Sequence, residues 1–393
     1  MGELKSALEQ AKKVQPQVVE WRRYFHENPE PALKEFKTAK KVEETLRSLG
    51  VETRVMAGGI AVRGFLKGGK PGKTIALRAD IDALPMEEET NLPFRSKNPG
   101  VFHGCGHDAH TAMLLGAARI LAGMKNELSG NVVFIFQPAE ETGQGAEKMV
   151  AEGVLDKVEA VFGIHVDVSL PSGTLHYKAG PIMAAGDFFD VKISGKGGHG
   201  AMPQTAIDPI AIASQAIAAV QTIVSREVDP RESAVVSICK IQAGGAYNII
   251  PDSVTFGGTL RSHSPELRAY LPKRVEEIIR GVVAAMRGSY EFTLHKRFPP
   301  TINDEKMTSF VAEIGREIMG AEKIFPKTPL MGSEDFSYYL EKVPGTFVFL
   351  GAKNEGKGIV YPGHHPKFDL DEDTLPFGTA LHVAVAGKYL KTS

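Results

Sequence analysis

Residues 131–137 read NVVFIFQ, and a strand formed from the apolar middle of this run has no polar face to offer water. It must sit inside a sheet that is covered on both sides. The flanks supply the cover: helical periodicity runs from Asp108 to Met124 and again near Gly145 to Glu152, and a second apolar strand follows from Ala160 to Val166. Upstream, a helical pattern from about Ala7 to Leu49 is interrupted by Asn28, Pro29 and Pro31 and closed by Gly50. The β-rich runs Ile60 to Leu66 and Thr74 to Ala79 flank the turn GGKPGK and are expected to form a hairpin feeding a central strand. Strands alternating with helices predict an α/β domain with helices on both faces of a mixed sheet.

Between about Ala184 and Lys296 the pattern changes. Strand 186–194, helix 206–226, strands 234–243 and 253–262, helix 265–287 and strand 290–297 give a β-α-β-β-α-β order, that of a ferredoxin-like α+β unit. Helical and strand patterns then resume at Lys306 to Met319, Asp335 to Tyr339, Thr346 to Leu350 and Pro376 to Leu390. A chain of 393 residues exceeds what one core usually supports. The expectation is a first domain of residues 1–183 and 297–393, interrupted by an inserted domain of residues 184–296.

Composition narrows the function. With 46 basic against 47 acidic residues, the chain has no net field to attract nucleic acid or an acidic membrane. No run approaches the roughly 18 apolar residues of a membrane span, and the charged amphipathic N-terminus has no signal-peptide core. Cys105 and Cys239 cannot build a disulfide framework at this size, which favours reduced thiols and the cytoplasm.

Four segments carry metal-ligand chemistry. HGCGHDAH, residues 103–110, sets Cys105 between Gly104 and Gly106 with His107 next, the glycines letting backbone fold tightly around an ion, and thiolate and imidazole are zinc's preferred donors. Asp108 is placed either to cap the following helix or to orient a ligand. Glu140 and Glu141 lie just past the apolar strand, where open α/β sheets carry their sites, and adjacent carboxylates are costly without a cation. His165 ends another apolar strand, and His364 and His365 precede Pro366 in a late loop. Each segment alone has a plainer explanation as a capped helix, a core histidine or an exposed turn. All four fall at loops or strand ends of the same expected domain.

Read in order, RADIDALP (78–85), HGCGHDAHTAMLLGAA (103–118), FQPAEE (136–141), GIH (163–165), GKGGHGAMP (195–203), NIIPDSVTFGGTLRS (248–262), GSEDFSYY (332–339) and HHPKFDLDE (364–372) resemble the motifs of the aminoacylase, hippurate hydrolase and indole-acetyl-amino-acid hydrolase group of dinuclear metallopeptidases. The resemblance implies two divalent ions per subunit, zinc foremost with cobalt, manganese or nickel as alternatives, held by Cys105, His107, Glu141, His165 and His364. It implies Glu140 as the carboxylate that moves protons, Asp82 as the residue orienting a ligand histidine, and His199 as the group stabilising the oxyanion. Asn248 and Arg261 match positions that grip the substrate carboxylate, a task suited to a bidentate guanidinium. The inserted domain is implied to serve as a dimerisation or lid domain of a homodimer or dimer-based oligomer.

Departures from the pattern are Phe102, Gly104 and Gly200, which leave the chemistry intact, and His365, which stands where serine or asparagine is usual. Asp80 stands where related peptidases carry a ligand histidine and is left out of the ligand set, as are His103 and His110. The reaction expected is hydrolysis of the amide bond of N-acyl-L-amino acids. A carboxypeptidase acting on short or N-blocked peptides uses the same machinery, a noncatalytic metal-binding protein of the same fold would lack use for Glu140, and a cysteine hydrolase would use Cys105 as nucleophile.

Overall fold

The computed structural model describes residues 2–392. It divides into two compact units: one runs to Ile182 and includes Ile302–Thr328 and the chain from Asp335 onward, and the other comprises Met183–Thr301 and Pro329–Glu334.

The first unit opens with helices α1 (Gly2–Glu27) and α2 (Phe36–Ser48) and strands β1 (Glu52–Met56), β2 (Ala61–Lys67) and β3 (Lys70–Asp80). Then come α3 (His107–Gly123), β4 (Ser129–Gln137), α4 (Gly145–Ala151), β5 (Ala160–Pro171), β6 (Leu175–Tyr177) and β7 (Gly180–Met183). The second unit holds β8 (Ala185–Ser194), β9 (Gly198–His199), α5 (Pro209–Val220), β10 (Ala234–Ala243), β11 (Ile249–Ile250), β12 (Ser253–Ser262), α6 (Pro265–Ala285) and β13 (Ser289–Phe298). The remaining elements are β14 (Thr301–Asn303), α7 (Glu305–Met319), β15 (Ile324–Pro326), α8 (Ser337–Leu340), β16 (Gly345–Lys353) and α9 (Leu375–Tyr389).

An eight-stranded mixed sheet in the order β1-β2-β4-β3-β5-β16-β6-β15 organises the first unit. Its middle strands β4, β3, β5 and β16 run parallel, and Val132 through Phe136 are wholly buried, as a strand apolar on both faces requires. Helices α1, α3, α7 and α9 pack on one another, while α4 and α8 form a separate pair.

The sheet corrects one expectation. Residues 60–66 and 74–79 do not form a hairpin: β2 pairs instead with β1, a strand the sequence reading missed, and β4 lies between β2 and β3. The reason lies in the connection. Gly68 donates its N–H to Gly130 O at 3.1 Å, and a side chain there would meet that oxygen at 2.1 Å, so the pair of glycines lets the chain cross tightly beside the start of β4.

The second unit is a four-stranded antiparallel sheet, β10-β12-β8-β13, backed by α5 and α6 around its own core of Phe189, Ile193, Phe256, Leu271 and Ile279. Helix α5 starts at Pro209 rather than 206 because the Asp208 carboxylate caps it, accepting from Ile210 N and Ala211 N. The whole is an α/β unit with a mixed sheet and an inserted ferredoxin-like α+β unit.

Candidate metal centre

Parallel strands deliver the site. Asp80 ends β3, with Asp82 two residues on; Glu140 and Glu141 follow the end of β4; His165 lies on β5; Cys105 and His107 sit where the chain enters α3. All are on the carboxyl side of the sheet's parallel core, where an open α/β sheet leaves a crevice. Gly106 makes the approach possible. Its φ is 91°, and a Cβ there would lie 2.4 Å from Val166 Cγ2, so a larger residue would push Cys105 and His107 away from β5.

The imidazoles are tethered through Nδ1. His107 Nδ1 donates to Asp82 O at 2.9 Å, with Asp82 Oδ1 at 3.3 Å, and His165 Nδ1 donates to Val166 O at 2.6 Å. Both rings thereby turn their Nε2 lone pairs inward. His165 Nε2 is 3.5 Å from Cys105 Sγ, and His107 Nε2 is 3.9 Å from Glu141 Oε1. His364 Nε2 stands 3.3 Å from the same Glu141 oxygen. Among the described residues, His107 Nε2 and Glu141 Oε1 are buried without a hydrogen-bond partner. Orphaned buried acceptors of this kind are expensive unless something satisfies them, and Cys, His and Glu donors converging on one place fit a divalent cation. The ligand-capable atoms of Cys105, His107 and His165 lie within 4.8 Å of one another, as do those of Cys105, Glu141 and His364 and those of His107, Glu140 and Glu141.

Charge agrees with this donor set. Burial and the Glu141 carboxylate push the Cys105 thiol up, yet the imidazoles of His107 and His165 prevail and bring it down to about 7. Burial disfavours charge on His165, but the facing thiolate raises it to about 9. His364, held by Cys105 and then Glu141, rises to about 10. A thiolate opposite an imidazole nitrogen can hold a proton or a metal ion, and ligation requires the proton to leave.

The two late histidines part company. His364 adopts φ 64°, a strained conformation for a non-glycine residue, and its N–H bonds Gly104 O at 2.8 Å, tying this loop to the one carrying Cys105. His365 instead stacks on Tyr361 with ring centroids 4.5 Å apart and accepts from Lys367 N.

Asp80 and His110 also lie near, forming with His107 another potential donor cluster, with Asp80 Oδ2 3.6 Å from His107 Nε2, and both are already hydrogen-bonded to protein groups. His110 Nδ1 donates to Asp80 Oδ1 at 2.5 Å and its Nε2 accepts from Val166 N at 2.9 Å, while Arg78 Nη1 donates to Asp80 Oδ2 at 2.8 Å. They brace the centre. Asp108 bonds Arg22 Nε, His26 Nδ1 and Ala109 N, so it anchors the start of α3 to α1 and does not touch a candidate ligand. Asp335 caps α4: Oδ2 accepts from Ala146 N at 3.0 Å, and Oδ1 accepts from Arg78 Nη2 and Gln137 Nε2.

Sequence reasoning missed three contributors here. Arg78, fully buried, links Asp80, Gln137 and Asp335. Arg22 reaches Asp108, Asp369 and Glu372. Glu35 accepts from Ala139 N at 2.8 Å, and burial followed by the Asp82 carboxylate pushes its own carboxyl up to about 8. A charged residue inside an apolar strand, as at Arg78, was the one available signal.

Of the remaining candidates, all in the second unit, His199 is exposed on β9 and pairs with Ile249 of β11, and Gly200 N bonds Asn248 O at 2.8 Å. Arg261, on β12, bonds Ser333 Oγ at 2.5 Å and lies over the Phe188 ring.

An α/β unit gathering thiol, imidazole and carboxylate donors at the ends of parallel strands, with an α+β unit inserted in it, defines a class of metal-dependent hydrolases. The chain belongs to peptidase family M20/M25/M40, whose model matches residues 76–388. It is 44% identical over 373 residues to the Arabidopsis thaliana protein named IAA-amino acid hydrolase ILR1-like 4, covering 94% of this chain and 84% of that one. It is likewise 44% identical over 386 residues to thermostable carboxypeptidase 1 of Saccharolobus solfataricus, covering 96% of each. Among solved structures, the Bacillus subtilis YXEP protein, described as a dinuclear metal binding peptidase from the M20 family, superposes with a TM-score of 0.85 at 37% identity, covering 97% of this chain and 100% of that one. The chain is accordingly a hydrolytic enzyme, which removes the noncatalytic alternative.

Proposed function

We propose that the enzyme hydrolyses the amide bond of N-acyl-L-amino acids, with two divalent ions held by Cys105, His107, Glu141, His165 and His364. The observation carrying this reading is the pair of buried, partnerless acceptors, His107 Nε2 and Glu141 Oε1, facing the same space as Cys105 and His364. Divalent ions there would supply Lewis acidity for the scissile carbonyl and lower the pKa of the attacking water. Glu140, buried beside Glu141 and within reach of His107, is the group that takes the water's proton as oxygen bonds to the carbonyl carbon. The same carboxyl then protonates the amine nitrogen as the C–N bond breaks, leaving a carboxylic acid and a free amino acid. Asp82 orients the arrangement, since one carboxylate meets His107 Nδ1 and Glu141 N.

The proposal extends, on the resemblance of their motifs, to His199 as the stabiliser of the oxyanion and to Asn248 and Arg261 as the grip on the substrate carboxylate. Zinc suits the thiolate and imidazole donors best, with cobalt, manganese and nickel as alternatives. The protein is proposed to be cytoplasmic and to work as a homodimer or dimer-based oligomer, with inserted residues 184–296 serving pairing or closure. No helix of the described residues is long and apolar enough to cross a membrane.

Release of a C-terminal amino acid from short or N-blocked peptides is the second reading, favoured by 44% identity to a protein named a carboxypeptidase. N-acetyl and N-benzoyl amino acids assayed beside N-blocked dipeptides, with metal-loaded protein, separate the two. Turnover of the acyl amino acids alone supports the first reading, preference for the dipeptides supports the second, and no turnover of either rejects both. Inactivation by thiol alkylation but not by chelators would make Cys105 a nucleophile instead.

A further inference from the structure

Between β4 and the two glutamates the chain makes one unusual step. Ala139 has φ 53°, in the left-handed region that side chains other than glycine's rarely adopt, and it is completely buried. A backbone held there needs its surroundings to hold it. The local hydrogen bonds do part of this: Ala139 O accepts from Gln144 N at 3.2 Å and from Thr142 Oγ1 at 3.3 Å, and Gly143 N bonds Glu140 O at 2.8 Å. The amide of Ala139 points the other way, and its partner comes from far along the chain: Glu35 Oε1, at 2.8 Å, from the residue that opens α2.

Glu35 is unusual for a carboxylate. It is wholly buried, it has no cation beside it among the described contacts, and its second oxygen, Oε2, has no hydrogen-bond partner. Leaving a buried carboxyl half-satisfied opposes folding, which points to a benefit elsewhere. The next residue but one, Glu141, has a different anchor, because its N–H bonds Asp82 Oδ2 at 3.1 Å. The segment thus has two separate clamps. One carboxylate fixes the amide of the candidate ligand Glu141, and another fixes the left-handed residue directly before Glu140.

We infer that Glu35 is a positioning residue that locks Ala139 in its left-handed turn and so aims Glu140, and that it acts apart from metal retention. The inference rests on the proposed amidohydrolase reading, in which Glu140 moves the protons. Only an acceptor of the right reach is needed at position 35, so an amide should replace the carboxyl, and the raised pKa of Glu35 agrees with a site that does not require its charge.

The test compares Glu35→Met, which keeps the bulk but removes the acceptor, with Glu35→Gln, which keeps the acceptor. Each is measured for kcat and KM on an N-acetyl amino acid, for bound metal by elemental analysis and for thermal melting. Glu35→Met is expected to lower kcat by roughly 10- to 100-fold, the scale of a misplaced catalytic group, with KM within about twofold and metal per chain as in the parent. Glu35→Gln should recover to within about threefold of parental kcat. Unchanged kcat in Glu35→Met overturns the inference, as does Glu35→Gln falling as far as Glu35→Met. Loss of metal or of cooperative melting in both variants also overturns it, since Glu35 would then hold up the fold or the ligands. If the parent turns over no acyl amino acid at all, it is the functional reading that fails, and the metal and melting data still show whether position 35 is uncoupled from the ligands.

Discussion

Cys105 and Cys239 carry the same thiol into opposite surroundings. Cys105 sits partly buried before α3, 3.5 Å from His165 and beside Glu141 and His364, and its thiol is drawn down to about 7. Cys239 is exposed on β10 at an irregularity between Ile238 and Lys240, with Ser237 O 3.7 Å from its sulfur and no metal-ligating group beside it among the described clusters. Neither local sequence explains the contrast. Cys105 differs because β5, the loop after β4 and the loop after β16 each bring it a partner from a distant part of the chain. Chemistry in this molecule is a property of where the parallel strands end, and residue type alone is a poor guide to it.

That contrast can be broken in several ways. The heaviest blow should be Glu140→Gln, which removes the proton carrier and keeps every ligand: kcat is expected to fall by roughly 10² to 10⁴ or more, with metal content at the parental level by elemental analysis. Loss of metal along with activity would make Glu140 a ligand instead. Next come the thiols themselves. Cys105→Ala should cost metal and activity together, on the order of 10² or more in affinity if a ligand outweighs the outer contacts that hold it, whereas Cys239→Ala should change neither by as much as twofold. Equal effects would erase the comparison. Asp82→Ala, which frees His107 and Glu141 at once, should weaken metal binding about 10- to 100-fold, read by competition with a chelator.

A last effect, on stability and not on the chemistry, concerns acid. His382 lies fully buried on α9 against Phe162, and burial pushes it down to about 3. Its folded pKa lies below the unfolded value, so the unfolded chain binds the extra proton first as pH falls from about 6.5. Stability is then present above that pH and is lost on the way down toward 3, at up to about 1.4 kcal/mol per pH unit from this one group. Denaturant melts of His382→Leu between pH 7 and pH 4 should show a shallower loss than the parent. An identical slope would mean that the ring finds a partner when it charges.

How far the sequence could be read follows the same division. Strand β4 announced itself because its side chains are apolar on both faces, and the second unit because six of its elements are strongly periodic. The candidate ligands were legible only as a set of motifs. What stayed hidden were contacts made across long separations: Glu35 with Ala139, Arg78 with Asp335, and Arg22 with Glu372. The mistaken hairpin has the same origin, because β2 and β3 are neighbours in sequence but β4 enters between them. His364 and His365 are equivalent by composition, and only the left-handed backbone at His364 turns one of them toward Glu141.

The place of β16 bears on how the polypeptide is made. It pairs along β5, from Gly345 with Val161 to Lys353 with Pro171, and so occupies the interior of the large sheet, although every residue of the second unit is synthesised before it. Arg22 waits longer still for Asp369 and Glu372. On the ribosome, then, the edge of β5 stands open while the second unit, whose strands and helices are neighbours in sequence, can complete its own core. An unpaired apolar strand edge is a template for mispairing. Nascent chains stalled with about 340 residues clear of the ribosome, before β16 emerges, should therefore be compact in their later half and chaperone-dependent in their earlier half, a reversal of the usual order in which the first-made part of a protein is the first to settle.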